Sequence, residues 1–279
     1  MKSIDQILAR MVSHKTFVCC GLDPDLSKIP LEIRNQKISD EEKVLNFLKV
    51  VVDVTAQHVC VYKAQKAFFD TLSGGHEVLK EIISYIHKMY PGLAIIIDCK
   101  IGDIDNTMSA YIETIFGKLN ADGIVANPYM GNDAIIPLAN LKEKAIIVLA
   151  KTSNVSGGVI QDVILQNGLP LWKYILNLIV NDWNYNSNMI PVVSSTAMIN
   201  MLEVRSIIPD SIPILLAGVG VQGGNHSDFG KLLNSDSTGV FVNSSRGILY
   251  PTSQHIWHVG IQEMVIELKD SLNKEGRIK

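Results

Sequence analysis

The sequence has no long uninterrupted hydrophobic run, although 47% of its 279 residues are hydrophobic. A membrane-spanning helix needs about 18 or more consecutive apolar residues, so we expect no membrane partner. The formal net charge of −3 also lacks the positive excess that favours a nucleic-acid partner. With 19% charged residues, the composition is typical of a well-packed globular protein.

Cysteine is scarce as well, and the four cysteines show neither a Cys-x-x-Cys pair nor the spacing of zinc ligands. They lie in or beside apolar segments, which indicates buried, reduced thiols in a cytosolic protein. The N-terminal segment 1–11 lacks the unbroken apolar core of a signal peptide and has the pattern of a short amphipathic helix. We therefore expect a cytoplasmic location and no metal ion.

No linker rich in Pro, Gly or Ser divides the chain, so we expect one domain over residues 1–279 that begins with this short helix. Eight short apolar runs recur along it, at residues 17–22, 59–62, 93–97, 123–126, 145–150, 190–193, 214–217 and 239–242. Continuous apolar runs are typical of parallel strands that are covered on both faces. Amphipathic helical patterns separate them. The sequence therefore predicts the α/β class and a (β/α)8 TIM barrel, with a doubly wound sheet as the alternative.

Polar residues follow these apolar runs, where the active sites of (β/α)8 barrels lie. Asp23 follows the first run, Lys63 the second, and Asp98 and Lys100 the third. Asp98 and Lys100 are two residues apart, so on an extended strand both side chains would point to the same side. Asp103, expected at the start of the next helix, completes a Lys–Asp–Lys–Asp array. Such an array costs desolvation energy unless its charges hold one another or take part in chemistry.

A lysine between two carboxylates stays protonated and is a candidate proton donor. Two other interpretations of the cluster remain open. Asp103 could cap the next helix through the amides of Asp105 or Asn106. Alternatively, Asp98 and Asp103, with Asp105, could bind a metal ion, although two lysines in the same cluster argue against a cation.

Two loops near the C-terminal end predict a phosphate site. A glycine-rich segment, 218–224, follows the seventh run, and Asn243 to Gly247 follow the eighth. In (β/α)8 barrels the loops after strands seven and eight form a recurring phosphate site. Glycines let backbone amides approach the anion, and Arg246 can add a charge-assisted contact. A dinucleotide site would need the glycine loop after the first strand, and this condition fails.

In these motifs the chain resembles the orotidine 5′-phosphate decarboxylase family, specifically its longer bacterial form, sometimes called type 2. The resemblance covers most of the chain and is carried by the following segments: Gly21-Leu22-Asp23-Pro24, Lys63-Ala64-Gln65, Asp98-Cys99-Lys100-Ile101-Gly102-Asp103-Ile104, Asn127-Pro128-Tyr129-Met130-Gly131, Thr152-Ser153-Asn154, Gly220-Val221-Gln222-Gly223-Gly224 and Ser245-Arg246-Gly247-Ile248. The family resemblance implies conversion of orotidine 5′-phosphate to uridine 5′-phosphate and CO2, without a cofactor.

The resemblance also implies a role for each charged residue of the array. Lys100 would deliver a proton to C6 of the pyrimidine after CO2 has left. Asp98 would lie against the departing carboxylate, and Lys63 would hold Asp98 and touch the ribose. Asp103, with Ile104 and Thr107, would reach the neighbouring active site of a homodimer. Asp103 would be a catalytic residue there, and Ile104 and Thr107 would bind the substrate.

Further residues would bind the substrate by the same resemblance. Asp23 would bind a ribose hydroxyl, and Ser153 would hydrogen-bond the edge of the pyrimidine. Gln222 and Arg246 would grip the phosphate, and Gly223 would offer its backbone amide.

Two other functions are compatible with such a barrel. A metal-dependent sugar-phosphate lyase or epimerase would use the same fold, but we would expect a carboxylate where Lys63 stands. A catalytically silent nucleotide-binding barrel is the third possibility, but a protein that only binds has no need of two buried lysines beside two aspartates.

Overall fold

A computed structural model describes residues 1–195, 201–218, 226–251 and 256–276. Eight parallel strands form a closed barrel in which each strand pairs with the next along the chain and the last pairs with the first. They are β1 (Val18–Leu22), β2 (Val61–Gln65), β3 (Ala94–Ile101), β4 (Gly123–Ala126), β5 (Ala145–Leu149), β6 (Met189–Ser194), β7 (Ile214–Ala217) and β8 (Val240–Ser244). This closure confirms the predicted (β/α)8 barrel and excludes the doubly wound sheet, which is open.

Helices connect the strands and cover the outside of the barrel. They are α1 (Ser3–Ser13), α2 (Leu31–Arg34), α3 (Asp40–Thr55), α4 (Lys66–Phe69), α5 (Gly75–Met89), α6 (Asp105–Ile112), α7 (Asn132–Ala139), α8 (Gly158–Gln161), α9 (Leu171–Leu178), α10 (Met201–Ile207), α11 (Arg246–Leu249) and α12 (Trp257–Gly276). Turns of π-helix continue α6 through Glu113–Lys118 and α9 through Ile179–Trp183. None of the helices in the described ranges has the length and apolar character needed to cross a membrane.

Burial on both faces explains why the strands are continuously apolar. Every residue of β1, β4 and β6 is buried. The helices cover the outer face with apolar stripes at three- and four-residue spacing, and in α5 the buried side chains are Val78, Leu79, Ile82, Ile83 and Ile86. The core therefore fills the barrel and the layer between the strands and the helices.

The N-terminal helix α1 packs at the amino ends of the strands, opposite the expected site. The Ser3 backbone N–H donates to the carbonyl oxygen of Glu143 at 2.9 Å, just before β5. The Arg10 guanidinium donates to the carbonyl oxygen of Val59 at 3.3 Å, just before β2. These contacts close the bottom of the barrel and leave the carboxyl ends of the strands open.

Two strands extend further than their apolar runs predict. β3 continues to Ile101, so Asp98 and Lys100 lie within it, and Lys63 lies in the middle of β2. Apolarity marks where a strand is covered on both faces, whereas backbone pairing continues into the polar site. The predicted boundaries were therefore wrong at the strand ends that carry the candidate chemistry.

Candidate active site

The carboxyl ends of the strands surround a pocket of about 470 Å³. Apolar side chains of the later strands form part of its wall: Val125, Leu149, Val192 and Leu215. Six residues predicted as site residues also line it: Asp23, Lys63, Asp98, Lys100, Ser153 and Arg246. A concave, partly apolar site with a few converging polar groups is typical of small-molecule binding.

At the centre of the pocket, Asp98 lies between two lysines. The Lys63 ammonium donates to Asp98 Oδ2 at 2.8 Å, and the Lys100 ammonium donates to Asp98 Oδ1 at 2.6 Å. Lys63 and Asp98 are 6% and 7% exposed, whereas the Lys100 side chain is 45% exposed. The two lysines therefore differ in access: Lys63 is enclosed, and Lys100 can reach a bound molecule.

The charges of this array stabilise one another. Burial favours the neutral amine of Lys63, but the carboxylates of Asp98 and Asp23 outweigh it and raise the Lys63 pKa. Burial likewise opposes ionisation of Asp98, but the ammonium groups of Lys63 and Lys100 lower its pKa. Lys63 and Asp98 are therefore an ion pair at neutral pH.

An irregularity in β3 brings Lys100 into the site. The pairing of β3 with β4 shifts register between Asp98 and Ile101, and Lys100 has a left-handed backbone with φ of +48°. This corrects the prediction of a regular extended segment, because the contact between Asp98 and Lys100 is made across a bulge. Next to it, a Cβ added to Gly102 would lie 2.3 Å from the carbonyl oxygen of Asn127. Glycine is needed there for the close approach of β3 and β4.

Asp23 follows β1 directly and lies beside Lys63 in the pocket lining. Its carboxylate accepts the backbone N–H of Gln65, at the end of β2, at 3.3 Å. In the pairing of β1 with β2, Gly21 lies opposite Lys63, and Asp23 follows two residues after Gly21. The parallel pairing of β1 with β2 therefore brings the Asp23 carboxylate to the edge of the charged array.

The loop after β5 carries Ser153 into the pocket and is held by polar contacts on both sides of it. The buried Lys151 ammonium pairs with the Asp162 carboxylate at 2.5 Å. The Thr152 backbone N–H donates to Gln161 Oε1 at 3.1 Å, and Gln161 Nε2 donates to Thr152 Oγ1 at 2.7 Å. These contacts span the loop between its two ends and support the position of Ser153.

The predicted phosphate end is described in part. Arg246, the first residue of α11, lines the pocket, as do Ser244, Ser245 and Gly218. The other two predicted phosphate residues, Gln222 and Gly223, lie outside the described residues. Arg246 thus lies at the carboxyl end of β8, separated in sequence from the charged groups on β2 and β3.

Three predicted site residues do not line the pocket of this chain: Asp103, Ile104 and Thr107. Asp103 Oδ1 accepts the N–H of Ile104 at 2.8 Å, and the side chains of Ile104 and Thr107 are exposed. The helix-capping interpretation of Asp103 is wrong, because α6 begins at Asp105 with Ile104 as its N-cap residue. Asp103 lies one residue before the N-cap position, and its carboxylate accepts a hydrogen bond from the N-cap residue instead of from the first turn of the helix.

The described residues do not support a metal site formed by Asp98, Asp103 and Asp105. Among residues 1–195, 201–218, 226–251 and 256–276, no three or more His, Cys, Asp or Glu side chains are grouped so that they could hold a metal ion. Both oxygens of Asp98 accept hydrogen bonds from lysines. Asp98 is therefore engaged with cations of the chain itself.

Some residues around the pocket were missed from the sequence. Asp25 and Lys28 line it and form an ion pair at 2.8 Å. Asp25 and Lys28 are three residues apart, and this spacing of opposite charges directly after Asp23 could have predicted an ion pair beside the site. Tyr250 contacts the same turn from the far end of the chain, and no local pattern marks such a contact.

The fold and the pocket define the class of protein. It is a (β/α)8 barrel with an ionised Lys63–Asp98–Lys100 array at the carboxyl ends of β2 and β3 and with Arg246 after β8. The profile of the orotidine 5′-phosphate decarboxylase / HUMPS family matches residues 16–252. The orotidine 5′-phosphate decarboxylase of Janthinobacterium sp. (strain Marseille) is 34% identical over 277 residues, which cover 98% of this chain and 99% of that protein. The one of Dechloromonas aromatica (strain RCB) is 32% identical over 274 residues, with coverage of 98% and 99%. The chain belongs to this family.

Solved structures agree with this assignment. The Leishmania donovani OMP decarboxylase superposes with a TM-score of 0.84 at 26% identity, covering 99% of this chain and 100% of that chain. The Leishmania donovani UMP synthase superposes with a TM-score of 0.86 at 27% identity, covering all of this chain (100%) and 57% of that chain.

Proposed function

We propose that this protein decarboxylates orotidine 5′-monophosphate to uridine 5′-monophosphate and CO2, the last step of de novo pyrimidine nucleotide synthesis. The observation that carries the proposal is the ionised Lys63–Asp98–Lys100 array inside the pocket of a chain that belongs to the decarboxylase family. The family relatives do not support the metal-dependent sugar-phosphate alternative, and the described part of the chain contains no group of three or more His, Cys, Asp or Glu side chains that could hold a metal ion.

The chemistry requires charge that is fixed in advance. Cleavage of the bond between C6 and the carboxylate leaves an electron pair on C6 that the ring delocalises poorly, so catalysis depends on preorganised electrostatics. Lys100 donates a proton to C6 and forms the new C–H bond, because its ammonium is accessible. Lys63 is enclosed and holds Asp98, whose negative charge lies against the departing carboxylate. No cofactor is needed for these steps.

Substrate binding is assigned to the remaining residues of the pocket. Asp23 binds a ribose hydroxyl, Ser153 hydrogen-bonds the pyrimidine edge, and Arg246 binds the phosphate together with Gln222 and the Gly223 amide. The phosphate takes no part in bond breaking, so its binding energy serves to orient the reacting part of the substrate.

The homodimer with shared sites is part of the same proposal, as is a cytoplasmic location. Asp103, Ile104 and Thr107 lie outside the pocket of their own chain, and Ile104 is 37% exposed. Because these residues lie outside the pocket of their own chain and the side chains of Ile104 and Thr107 are exposed, the start of α6 is available to contact a second copy.

Decarboxylation is tested by following the ultraviolet change of the pyrimidine with purified protein, with and without excess chelator. Turnover that survives the chelator is expected. Lys100→Ala should lower kcat by about 10²–10⁴-fold, the typical contribution of a positioned acid, while binding of uridine 5′-monophosphate persists. Lys142→Ala, an exposed lysine before β5, serves as the matched control with unchanged kcat.

Three outcomes would reject the assignment. Full activity of Lys100→Ala would remove its chemical basis. Chelator-sensitive turnover of a ketose phosphate would favour the lyase or epimerase, and tight nucleotide binding without turnover would favour a silent barrel.

The shared site is tested by mixing inactive Lys100→Ala with inactive Asp103→Ala. After complete subunit exchange at equal concentrations, half of the dimers are mixed and each has one intact site, so about a quarter of wild-type activity should return. A mixture of two Lys100→Ala preparations is the control. No recovery after demonstrated exchange would show that each site is complete within one chain.

A further inference from the structure

Tyr250, the residue that follows α11, contacts the turn after β1 with its hydroxyl group. The backbone N–H of Asp25 donates to Tyr250 Oη at 2.7 Å, and the hydroxyl in turn donates to the carbonyl oxygen of Asp23 at 3.0 Å. The Tyr250 ring stacks on Phe47 of α3, with 6.1 Å between ring centroids and 8° between their planes. The hydroxyl therefore holds both ends of a three-residue turn from a ring that is itself fixed.

This turn carries a pocket residue. Asp23 lines the pocket, and its carboxylate accepts the Gln65 N–H from the neighbouring strand at 3.3 Å. Its backbone is held by Tyr250. Two independent elements thus fix Asp23, one through the side chain and one through the main chain, and the main-chain contact comes from 227 residues along the sequence.

Tyr250 is also joined to the segment that carries Arg246. Its backbone N–H donates to the carbonyl oxygen of Arg246 at 3.2 Å, across the single turn of α11. Burial raises the Tyr250 pKa, so the hydroxyl remains protonated and keeps its donor role at any working pH. One residue therefore connects the segment that carries Arg246, through its backbone, with the turn that carries Asp23, through its side chain.

We propose that Tyr250 is a positioning residue that sets Asp23 relative to Arg246, so that a nucleotide's ribose and phosphate are bound at the same time. Tyr250 does not line the pocket and acts through Asp23. This inference rests on the proposed function, in which Asp23 binds the ribose and Arg246 binds the phosphate.

The test is Tyr250→Phe, which keeps the stacked ring and removes both hydroxyl contacts. Calorimetric titration with uridine 5′-monophosphate should show binding about tenfold weaker, and KM should rise by a similar factor, as expected for lost hydrogen bonds that position a ligand. The kcat should stay within about twofold, because the interaction is equally used in ground state and transition state. Tyr90→Phe is the matched control, since its hydroxyl donates to Asp53 Oδ1 at 2.8 Å away from the pocket.

A double-mutant cycle separates positioning from a general structural role. In an Asp23→Ala background, Tyr250→Phe should weaken nucleotide binding by less than about twofold, because coupled residues are not additive. The same tenfold loss in both backgrounds, or wild-type binding by Tyr250→Phe, would overturn the inference. A change in melting temperature with unchanged KM would also overturn it. Failure of the wild-type protein itself to bind or convert the nucleotide would instead reject the proposed function.

Discussion

Replacing Asp98 by asparagine should destabilise the protein strongly, because it leaves a buried ammonium without its ion-pair partner. Asp98→Asn preserves the shape of the side chain and removes its charge. Lys63 is 6% exposed and pairs with Asp98 at 2.8 Å. After the substitution, Lys63 keeps the more distant attraction of Asp23, which does not replace a direct charged hydrogen bond.

The size of the effect follows from this burial. Removing one partner of a buried ion pair costs about 3–5 kcal/mol. At about 2–4 °C per kcal/mol for domains of this order of size, the melting temperature should fall by about 10 °C. Lys100→Ala provides a contrast on the same aspartate, because the Lys100 side chain is 45% exposed. Loss of so exposed a pair costs about 1 kcal/mol or less, so its melting temperature should fall by no more than about 4 °C.

Scanning calorimetry at pH 7 measures both variants. The double variant Lys63→Met with Asp98→Asn removes both buried charges and should recover most of the lost stability, since an uncharged pair has no desolvation penalty. The reasoning is refuted if Asp98→Asn melts within about 2 °C of the wild type, or if the double variant is no more stable than Asp98→Asn.

The pH dependence of this difference has a definite sign. The folded protein lowers the Asp98 pKa, so the stabilisation from Asp98 is fully present above the pKa of an unfolded aspartate, about 3.9. It is lost as the pH falls through the lower folded value. The gap in melting temperature between wild type and Asp98→Asn should therefore be constant from about pH 5 to 7 and shrink below about pH 4. A gap that widens on acidification would contradict the assigned charge states.

Two further predictions concern packing around the site. Gly102→Ala would place a Cβ 2.3 Å from the Asn127 carbonyl oxygen, so the β3 bulge must shift. Turnover assays should show that kcat falls by more than about tenfold. Thermal melting should show that the free energy of unfolding falls by about 1–3 kcal/mol. Gly117→Ala is the control, because its Cβ would meet only the flexible carboxylate end of Glu113 at 2.8 Å, and it should keep wild-type activity. Equal losses of activity and stability in the two variants would refute the steric argument. Burial raises the pKa of Cys19 to about 12 and of Cys99 to about 11, so iodoacetamide at pH 8 should label neither in the native protein but both in denaturant, as read by mass spectrometry. Rapid native labelling of Cys19 would mean that the barrel opens.

The strand and helix content of this chain was predictable because burial on two faces leaves a direct mark on the sequence. The apolar runs at Gly123–Ala126 and Ile214–Ala217 coincide with β4 and β7. The helical stripes were legible for the same reason. The order of the eight strands then followed from the short connections between them.

The candidate site was predictable where charge breaks an apolar pattern. Lys63, Asp98 and Lys100 stand out at the ends of apolar runs, and the barrel brings neighbouring runs side by side. The register of the β2–β3 pair places Gln65 opposite Asp98. That register sets the short contact between Lys63 and Asp98, and it is a property of the closed barrel. Sharing of Asp103 between two chains stays a prediction.

The sequence by itself therefore determined which segments form the buried strands, in what order they follow one another, and which charged residues interrupt their apolar pattern. The tertiary structure decided the rest. It alone shows the left-handed backbone at Lys100, because lysine carries no local signal for that conformation. It alone brings the Tyr250 hydroxyl to the turn at Asp23, because two hydrogen bonds across more than two hundred residues depend on barrel closure and on no local pattern.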